Sequence, residues 1–206
     1  REGALVLNNV LLTTAAATVF LGTLYPLFLD TIGGPKLSVG FPFFNRTFVP
    51  LMVPALLAMA VGPLLAWKRG DLKGALQRLW VAFAAALLVA LIGLYLAGFK
   101  PILALLGLAL ATWVGVGAIV EWAERVKLFR AGAAETWRRA RYLPRASYAM
   151  SIAHFGIAVS VAGIAASAFE VEQIQMLHPG DTLSIAGYVL KYDGTEKVAG
   201  PNFTAD

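Results

Sequence analysis

Long apolar runs separated by short polar segments dominate the chain, and they predict helices that cross a membrane. At a rise of about 1.5 Å per residue, a run of about 20 residues crosses a hydrocarbon core about 30 Å thick. Five runs of this length occur, at residues 5–29, 48–67, 79–99, 102–122 and 148–169. The predicted fold class is therefore an all-α polytopic membrane protein, whose transmembrane helical domain covers residues 1–169.

Polar segments join these runs. Residues 30–47 are rich in Gly and Pro, so we expect an irregular loop there. The end of this segment and the start of the second run carry phenylalanines that we interpret as an aromatic belt at the membrane interface, namely Phe41, Phe43, Phe44 and Phe48. Residues 68–78 are predicted to be a short basic connector, and residues 121–145 a charged helical connector.

The pattern changes beyond residue 169. Apolar and polar residues alternate at 182–185 and 188–192, which is typical of half-buried strands. Residues 179–181 and 193–194 supply turn chemistry. Residues 170–206 are therefore predicted to begin a small β domain, which is truncated because too few strands are present to close a core.

Composition supports the membrane interpretation. The chain is 59% hydrophobic and 14% charged, with a mean hydropathy of +0.72, whereas soluble domains are about 45–50% apolar and about 25% charged. The absence of cysteine excludes a disulfide framework, a Cys-bound metal and a thiol nucleophile. The sequence also lacks a Gly-rich phosphate loop, an H-E-x-x-H motif and a G-x-S-x-G motif, so no catalytic residue is assigned.

The positions of the basic residues indicate topology. If the five runs cross the membrane in turn, twelve of the 17 Lys and Arg residues lie on one side. The positive-inside rule places that side in the cytoplasm, so the N-terminal end is expected there and the C-terminal tail in the periplasm. The net charge of +5 therefore indicates orientation, and we expect no nucleic-acid partner. Since the chain begins without Met and stops within a polar segment, we expect it to be a piece of a longer polypeptide.

The fifth run contains the features that the rest of the prediction depends on. Small residues recur in it at alternating spacings of four and three, so they form a stripe that we expect to pack against neighbouring helices: Ala149, Ala153, Gly156, Ser160, Gly163 and Ser167. His154 lies beside this stripe, and Ala158, Val161 and Ala165 continue its own face. These three residues predict a low apolar wall against which a flat ligand can lie.

His154 is the candidate functional residue, since an ionisable side chain inside a span is costly to place. Three roles stay open at this point: a hydrogen bond to a neighbouring helix, a ligand contact, or a proton relay. If His154 is a ligand, Ser151 or an upstream helix is expected to bond its second ring nitrogen. Glu121 and Glu124 are expected to be solvated with local ion pairs, and His178 to be a solvated loop residue.

Several segments resemble one known family. REGALVLNNVLL, LGTLYPLFLD, KLSVGFPFFNRTFVPLMVPALLAMAVGPLLAWKR, YAMSIAHFGIAVSVAGIAASAFEVEQIQMLHPGDTLSIAGY and VAGPNFTAD follow one another in order. Within them, the S-V-G-x-P-F-F-N loop, the A-H-x-G-x-A-V helix and the G-P-N tail are together fairly specific. They resemble the C-terminal half of CcmF, the membrane haem lyase subunit of bacterial cytochrome c maturation. The paralogous family that serves nitrite reductase maturation is similar enough to stay an alternative.

The resemblance implies a function. The family attaches haem to apocytochrome c on the periplasmic side of the bacterial inner membrane, and it holds a b-type haem between two transmembrane His. One of those His maps onto His154, which would be an axial ligand of the iron in an electron relay. The second axial His and the substrate-haem site would lie outside this chain. The fragment alone would not be a competent lyase.

The resemblance also implies partners: haem, a haem chaperone, apocytochrome c with its presenting subunit, the remainder of the same polypeptide, the lipid bilayer, and quinol as an electron donor. Two other classes stay open from the residues alone. One is a transporter or permease subunit, and the other is a structural membrane scaffold in which His154 only forms a hydrogen bond. Haem content separates the lyase from both.

Overall fold

The structure is a computed structural model that describes residues 2–65, 71–99, 101–195, 198–199 and 204–205. The chain forms two compact units, Arg1–Ala168 and Phe169–Asp206. In the described part of the first unit there are seven α-helices: α1 (Glu2–Thr31), α2 (Phe41–Val61), α3 (Leu72–Arg78), α4 (Trp80–Ala97), α5 (Ile102–Val126), α6 (Ala133–Tyr142) and α7 (Arg145–Ala166). Short 3₁₀ turns follow α2 at Gly62–Leu64 and α7 at Ser167–Phe169.

Five of the described helices, α1, α2, α4, α5 and α7, are long and apolar enough to cross a membrane. Their outward surfaces are apolar too, as Leu91 on α4 and Ile164 on α7 illustrate. In water such surfaces would be unfavourable, whereas in lipid they are the expected outer face of a bundle. The predicted fold class, an all-α polytopic membrane protein, is confirmed. The two remaining helices, α3 and α6, lie in the connectors.

α2 begins earlier than predicted, at Phe41 within the expected loop. Pro42 is compatible with this start because it occupies the first turn, where the backbone N–H has no helical acceptor. The phenylalanine cluster is also divided. Phe41 is 86% exposed, whereas Phe43 and Phe44 pack against Gly22 of α1. Phe43 and Phe44 therefore also pack α2 against α1, and the interfacial belt stays a prediction.

The centre of the first unit is α5, not the fifth apolar run that the sequence points to. α5 packs against α2, α4 and α7. Glycines on α5 make these approaches close: a Cβ at Gly117 would lie 2.6 Å from the Cβ of Ala60 on α2. On the α4 side the pattern reverses, since Leu105 of α5 covers Gly93. In lipid no hydrophobic effect drives helices together, so they associate through close packing, which small residues at the interface permit.

A polar contact supplements this packing. Trp113 of α5 lies between the two buried apolar clusters of the unit. Its indole Nε1–H donates to the backbone carbonyl of Leu57 on α2 at 3.1 Å. That carbonyl lies four residues before Val61, the last residue of α2. Since an unpaired indole N–H in hydrocarbon is costly, the bond helps to fix how α2 and α5 lie against each other.

The second unit contains an antiparallel hairpin, formed at the two segments that were predicted to be strands. Its strands are β1 (Thr182–Ile185) and β2 (Tyr188–Lys191), paired so that Ile185 faces Tyr188. The connecting turn consists of Ala186 and Gly187, both with positive φ, as a tight hairpin turn requires. The sequence analysis did not predict this turn, because Ala rarely adopts a positive φ and is therefore not a turn signal. Two further short strands, β3 (Val198–Ala199) and β4 (Thr204–Ala205), pair with each other.

Candidate functional site

His154 lies on α7, nine residues after Arg145 where the helix begins, which places it about 14 Å along the helix. Its side chain is half-buried. Among the described residues, none forms a hydrogen bond with its imidazole. Both ring nitrogens are thus available for a contact from outside this set of residues, although an isolated imidazole in a span is costly to leave unbonded.

The predicted apolar wall beside His154 is covered. Ala158 and Ala165 are buried, and they pack against glycines on α5. A Cβ at Gly115 would lie 3.3 Å from the Ala158 Cβ, and a Cβ at Gly107 would lie 2.9 Å from that of Ala165. A planar ligand cannot lie across this wall while α5 and α7 remain packed, so the expectation of a flat-ligand platform there was wrong.

The small-residue stripe of α7 faces the other way. All six of its residues are exposed in this structure. A Cβ at Gly156 or at Gly163 would meet no atom within 4 Å. The expected packing of the stripe against neighbours is therefore absent among the described residues. The packed face of α7 carries Ala158 and Ala165, and His154 borders this face. The two alanines share a face because a spacing of seven residues is about two helical turns.

Glu121 departs most from its predicted role. Its side chain is only 3% exposed, whereas the sequence suggested a solvated helix end. One carboxylate oxygen pairs with the Nε of Arg125 on the same helix, and the other accepts a hydrogen bond from the Ser151 hydroxyl at 2.9 Å. Arg125 Nη1 also donates to Ser147 Oγ at 3.0 Å. We call these four residues the α5–α7 polar cluster.

The α5–α7 polar cluster adjoins His154. Ser151 and His154 are three residues apart on α7, so their Cβ atoms are about 5–6 Å apart on the same helix face. Ser151 bonds Glu121 and the carbonyl of Ser147, not His154. Of the two expected partners for the His154 ring, Ser151 is therefore excluded in this structure, and an upstream helix stays a prediction. Instead, Ser151 connects the helix that carries His154 to a buried carboxylate on α5.

Sequence reasoning missed this cluster, although a signal was present. Glu121 and Arg125 are four residues apart, and so are Ser147 and Ser151. Each pair therefore lies on one helix face. Two consecutive spans joined by a connector of this length run antiparallel, so their ends on one membrane side meet. Matching polar pairs at those ends indicate a contact across the two helices.

The other two candidates lie where the sequence placed them. Glu124 is 22% exposed and pairs with Arg130 at 2.9 Å, which is the predicted local ion pair. His178 belongs to the second unit, and its side chain is 89% exposed. Its backbone N–H donates to the Asp181 carboxylate at 2.7 Å, which stabilises the turn before β1.

The donor set around His154 fits one axial position of a haem iron. Across the ranges that the structure describes, no three His, Asp or Glu side chains converge on one point. A haem needs no such cluster, since the porphyrin supplies four nitrogens and the protein supplies only the axial ligands. A half-buried imidazole without a hydrogen bond to any described residue suits that role.

Comparisons with known proteins identify relatives over the whole chain. Cytochrome c-type biogenesis protein CycK from Rhizobium meliloti is 46% identical over 207 residues, which is 100% of this chain and 31% of the relative. CycK from Bradyrhizobium diazoefficiens is 44% identical over 205 residues, which is 98% of this chain and 31% of the relative. Cytochrome c-type biogenesis protein CcmF from Pseudomonas aeruginosa is 38% identical over 211 residues, which is 100% of this chain and 31% of the relative.

The chain thus spans about 31% of the length of the curated relatives it matches. No protein-family model matches it. No solved structure matches it either.

Proposed function

Because the chain belongs to the CcmF/CycK family of cytochrome c-type biogenesis proteins, we propose that it is part of a membrane haem lyase. In this proposal the complete protein handles haem and helps to attach it to apocytochrome c on the periplasmic side. The names of the relatives support a role in cytochrome c biogenesis, and the five apolar helices support a location in a membrane. This chain alone is not a competent lyase in the proposal.

Within that function we propose that His154 is an axial ligand of an intramembrane b-type haem. The observation that carries this assignment is the half-buried imidazole, which forms no hydrogen bond with any described residue. Bound there, haem would supply one-electron chemistry at its iron. The protein's own part is to hold the ring at a fixed depth. α7 does this because Ala158 and Ala165 pack against Gly115 and Gly107 of α5.

The covered wall restricts how the haem approaches. Since α5 occupies the Ala158 face, the porphyrin would reach His154 from the flank of α7 that α5 leaves open. The second axial His, the substrate-haem site and the helices that close that flank would come from the remainder of the polypeptide. An electron relay suits this buried position better than covalent attachment does, because attachment takes place outside the membrane.

The proposed orientation follows the basic residues. Described basic side chains concentrate between α5 and α7, for example Arg130, Arg138 and Arg141. The positive-inside rule would place this connector in the cytoplasm of a bacterial inner membrane. The second unit, with its hairpin, would then lie in the periplasm, on the side where apocytochrome c is modified. A haem chaperone and the subunit presenting the apoprotein would act on that side, and quinol is the proposed electron donor.

The test compares the two histidines of the chain in the complete protein. We expect His154→Ala to lose the reduced α band of the b haem and to lower holocytochrome c formation, while circular dichroism stays unchanged. His178→Ala is the matched control, because its side chain is exposed in the second unit, and it should keep the b-haem spectrum. A normal low-spin b spectrum in His154→Ala would refute the ligand assignment. A protein without haem in every variant would favour a transporter or a scaffold.

A further inference from the structure

Glu121 is a buried carboxylate that the proposed haem site leaves unexplained. At 3% exposure it is the only charged residue that is fully buried among the described ones. Burying a carboxylate is costly unless it is paired and hydrogen-bonded. Here Arg125 and Ser151 supply those partners. Replacement of such a pair by apolar residues is often neutral or stabilising, so stability alone is a weak reason for its presence.

Its position suggests a reason connected with His154. Ser151, which holds the Glu121 carboxylate at 2.9 Å, lies one helical turn from His154 on the same face of α7. Because Glu121 is buried, salt and solvent screen its charge less than they screen the charge of an exposed carboxylate. Arg125 carries the opposite charge and is less buried, with 35% of its side chain exposed. The electric field of Arg125 at His154 is therefore screened more than that of Glu121.

From this geometry, and resting on the proposed function, we infer that Glu121 sets the redox potential of the haem iron bound by His154, with Arg125 as the opposing charge. A carboxylate near the iron stabilises the oxidised form, which carries one more positive charge than the reduced form. Glu121 therefore lowers the midpoint potential. Arg125 favours the reduced form and raises the midpoint potential, but more weakly. Glu121 does not touch the reacting atoms in this assignment, so it is a positioning residue that acts through its charge.

The inference gives a prediction with opposite signs for two residues of one ion pair. In the complete protein, Glu121→Gln removes the negative charge but keeps an oxygen that can accept the Ser151 hydrogen bond. We expect its midpoint potential to rise. Arg125→Gln leaves the carboxylate uncompensated, so we expect a fall of smaller size. A role limited to helix packing would move both potentials in the same direction, by loosening the site, or would leave both unchanged.

Glu124→Gln is the matched control. Glu124 lies almost one turn further along α5 and is more exposed, and its partner Arg130 lies in the connector. Its removal changes the net charge by the same amount as Glu121→Gln. We therefore expect the midpoint potential to stay within error of the unmodified protein. A shift as large as that of Glu121→Gln would show a general charge effect and would overturn the assignment.

The measurement is a potentiometric titration of the b-haem absorbance in detergent, with circular dichroism to check folding. An unchanged potential in Glu121→Gln, or shifts of the same sign in Glu121→Gln and Arg125→Gln, would overturn the inference. If Glu121→Gln binds no haem, Arg125→Gln decides: a fall supports the inference, and no fall overturns it. The proposed function fails separately, when His154→Ala retains the b haem. If haem binding depends on His154 but the midpoint potential does not change in Glu121→Gln and Arg125→Gln, the proposed function stands and only the role of Glu121 is refuted.

Discussion

The glycines of α5 give a graded test of how this bundle packs. Each replacement by Ala adds one methyl group at an interface that lies against an Ala of a neighbouring helix. The added Cβ would lie 2.6 Å from the Ala60 Cβ for Gly117→Ala, but 3.3 Å from the Ala158 Cβ for Gly115→Ala. Gly107→Ala is intermediate, at 2.9 Å from its neighbour. The expected order of destabilisation is therefore Gly117→Ala, then Gly107→Ala, then Gly115→Ala.

The size of the destabilisation follows from how closely the added Cβ approaches the Cβ of the neighbouring Ala. Carbon atoms attract best at about 3.5–4.0 Å, so Gly117→Ala requires α2 and α5 to separate by about 1 Å. Overpacking of this kind costs about 1–3 kcal/mol. The higher helix propensity of Ala stabilises each of the three variants by about 1 kcal/mol relative to Gly. We therefore expect Gly117→Ala to lose about 0–2 kcal/mol net, and Gly115→Ala to be neutral or slightly stabilising.

Unfolding of the three variants on titration with SDS, followed by circular dichroism, measures these differences. Because the helix-propensity gain is common to all three, the order depends on the interfaces alone. Equal midpoints would contradict the close approach of α5 to its neighbours. A Gly115→Ala variant less stable than Gly117→Ala would contradict the specific contacts with Ala158 and Ala60.

Two further predictions concern the connector before α4 and the orientation. Asp71 caps α3, since its carboxylate accepts the Gly74 N–H at 2.8 Å, so Asp71→Ala should cost about 1 kcal/mol. Hydrogen exchange over residues 72–78 should speed up, whereas Asp71→Asn should change little; unchanged exchange in Asp71→Ala would contradict the cap. Because the chain has no cysteine, Trp137→Cys and Tyr188→Cys place single thiols on α6 and β2. A membrane-impermeant maleimide should label only the second in intact spheroplasts, and labelling of the first would reverse the proposed topology.

The helices were predictable where the bilayer dictates the answer. In hydrocarbon every backbone polar group must be bonded within the protein, and a helix does this within a single segment, so a long apolar run favours a helix. Helix starts were less predictable. Gly40 and Pro42 suggested a loop, yet Pro in a first turn is compatible with a helix, and α2 begins at Phe41. The hairpin turn at Ala186 was missed because tertiary pairing holds an Ala in a conformation that glycine usually adopts.

The site was predictable only in part. His154 is identifiable as a candidate from one sequence because ionisable residues in spans are rare. Glu121 looked solvated because it sits near charged neighbours at a helix end, and its burial depends on Ser151 of another helix. The same limit explains the wall beside His154. The small residues of one helix show that some partner can approach, but not which face the partner occupies, and here α5 covers Ala158 instead of the Gly156 side.

The central claim, that His154 ligates haem iron, is tested most directly by chemical rescue. His154→Gly in the complete protein removes the imidazole and leaves a space on α7 where it stood. The account predicts that the variant lacks a low-spin b spectrum, and that free imidazole added to the purified protein restores it with a saturable dependence on concentration. A b spectrum already normal without imidazole would contradict the account, because the iron would then not depend on this side chain.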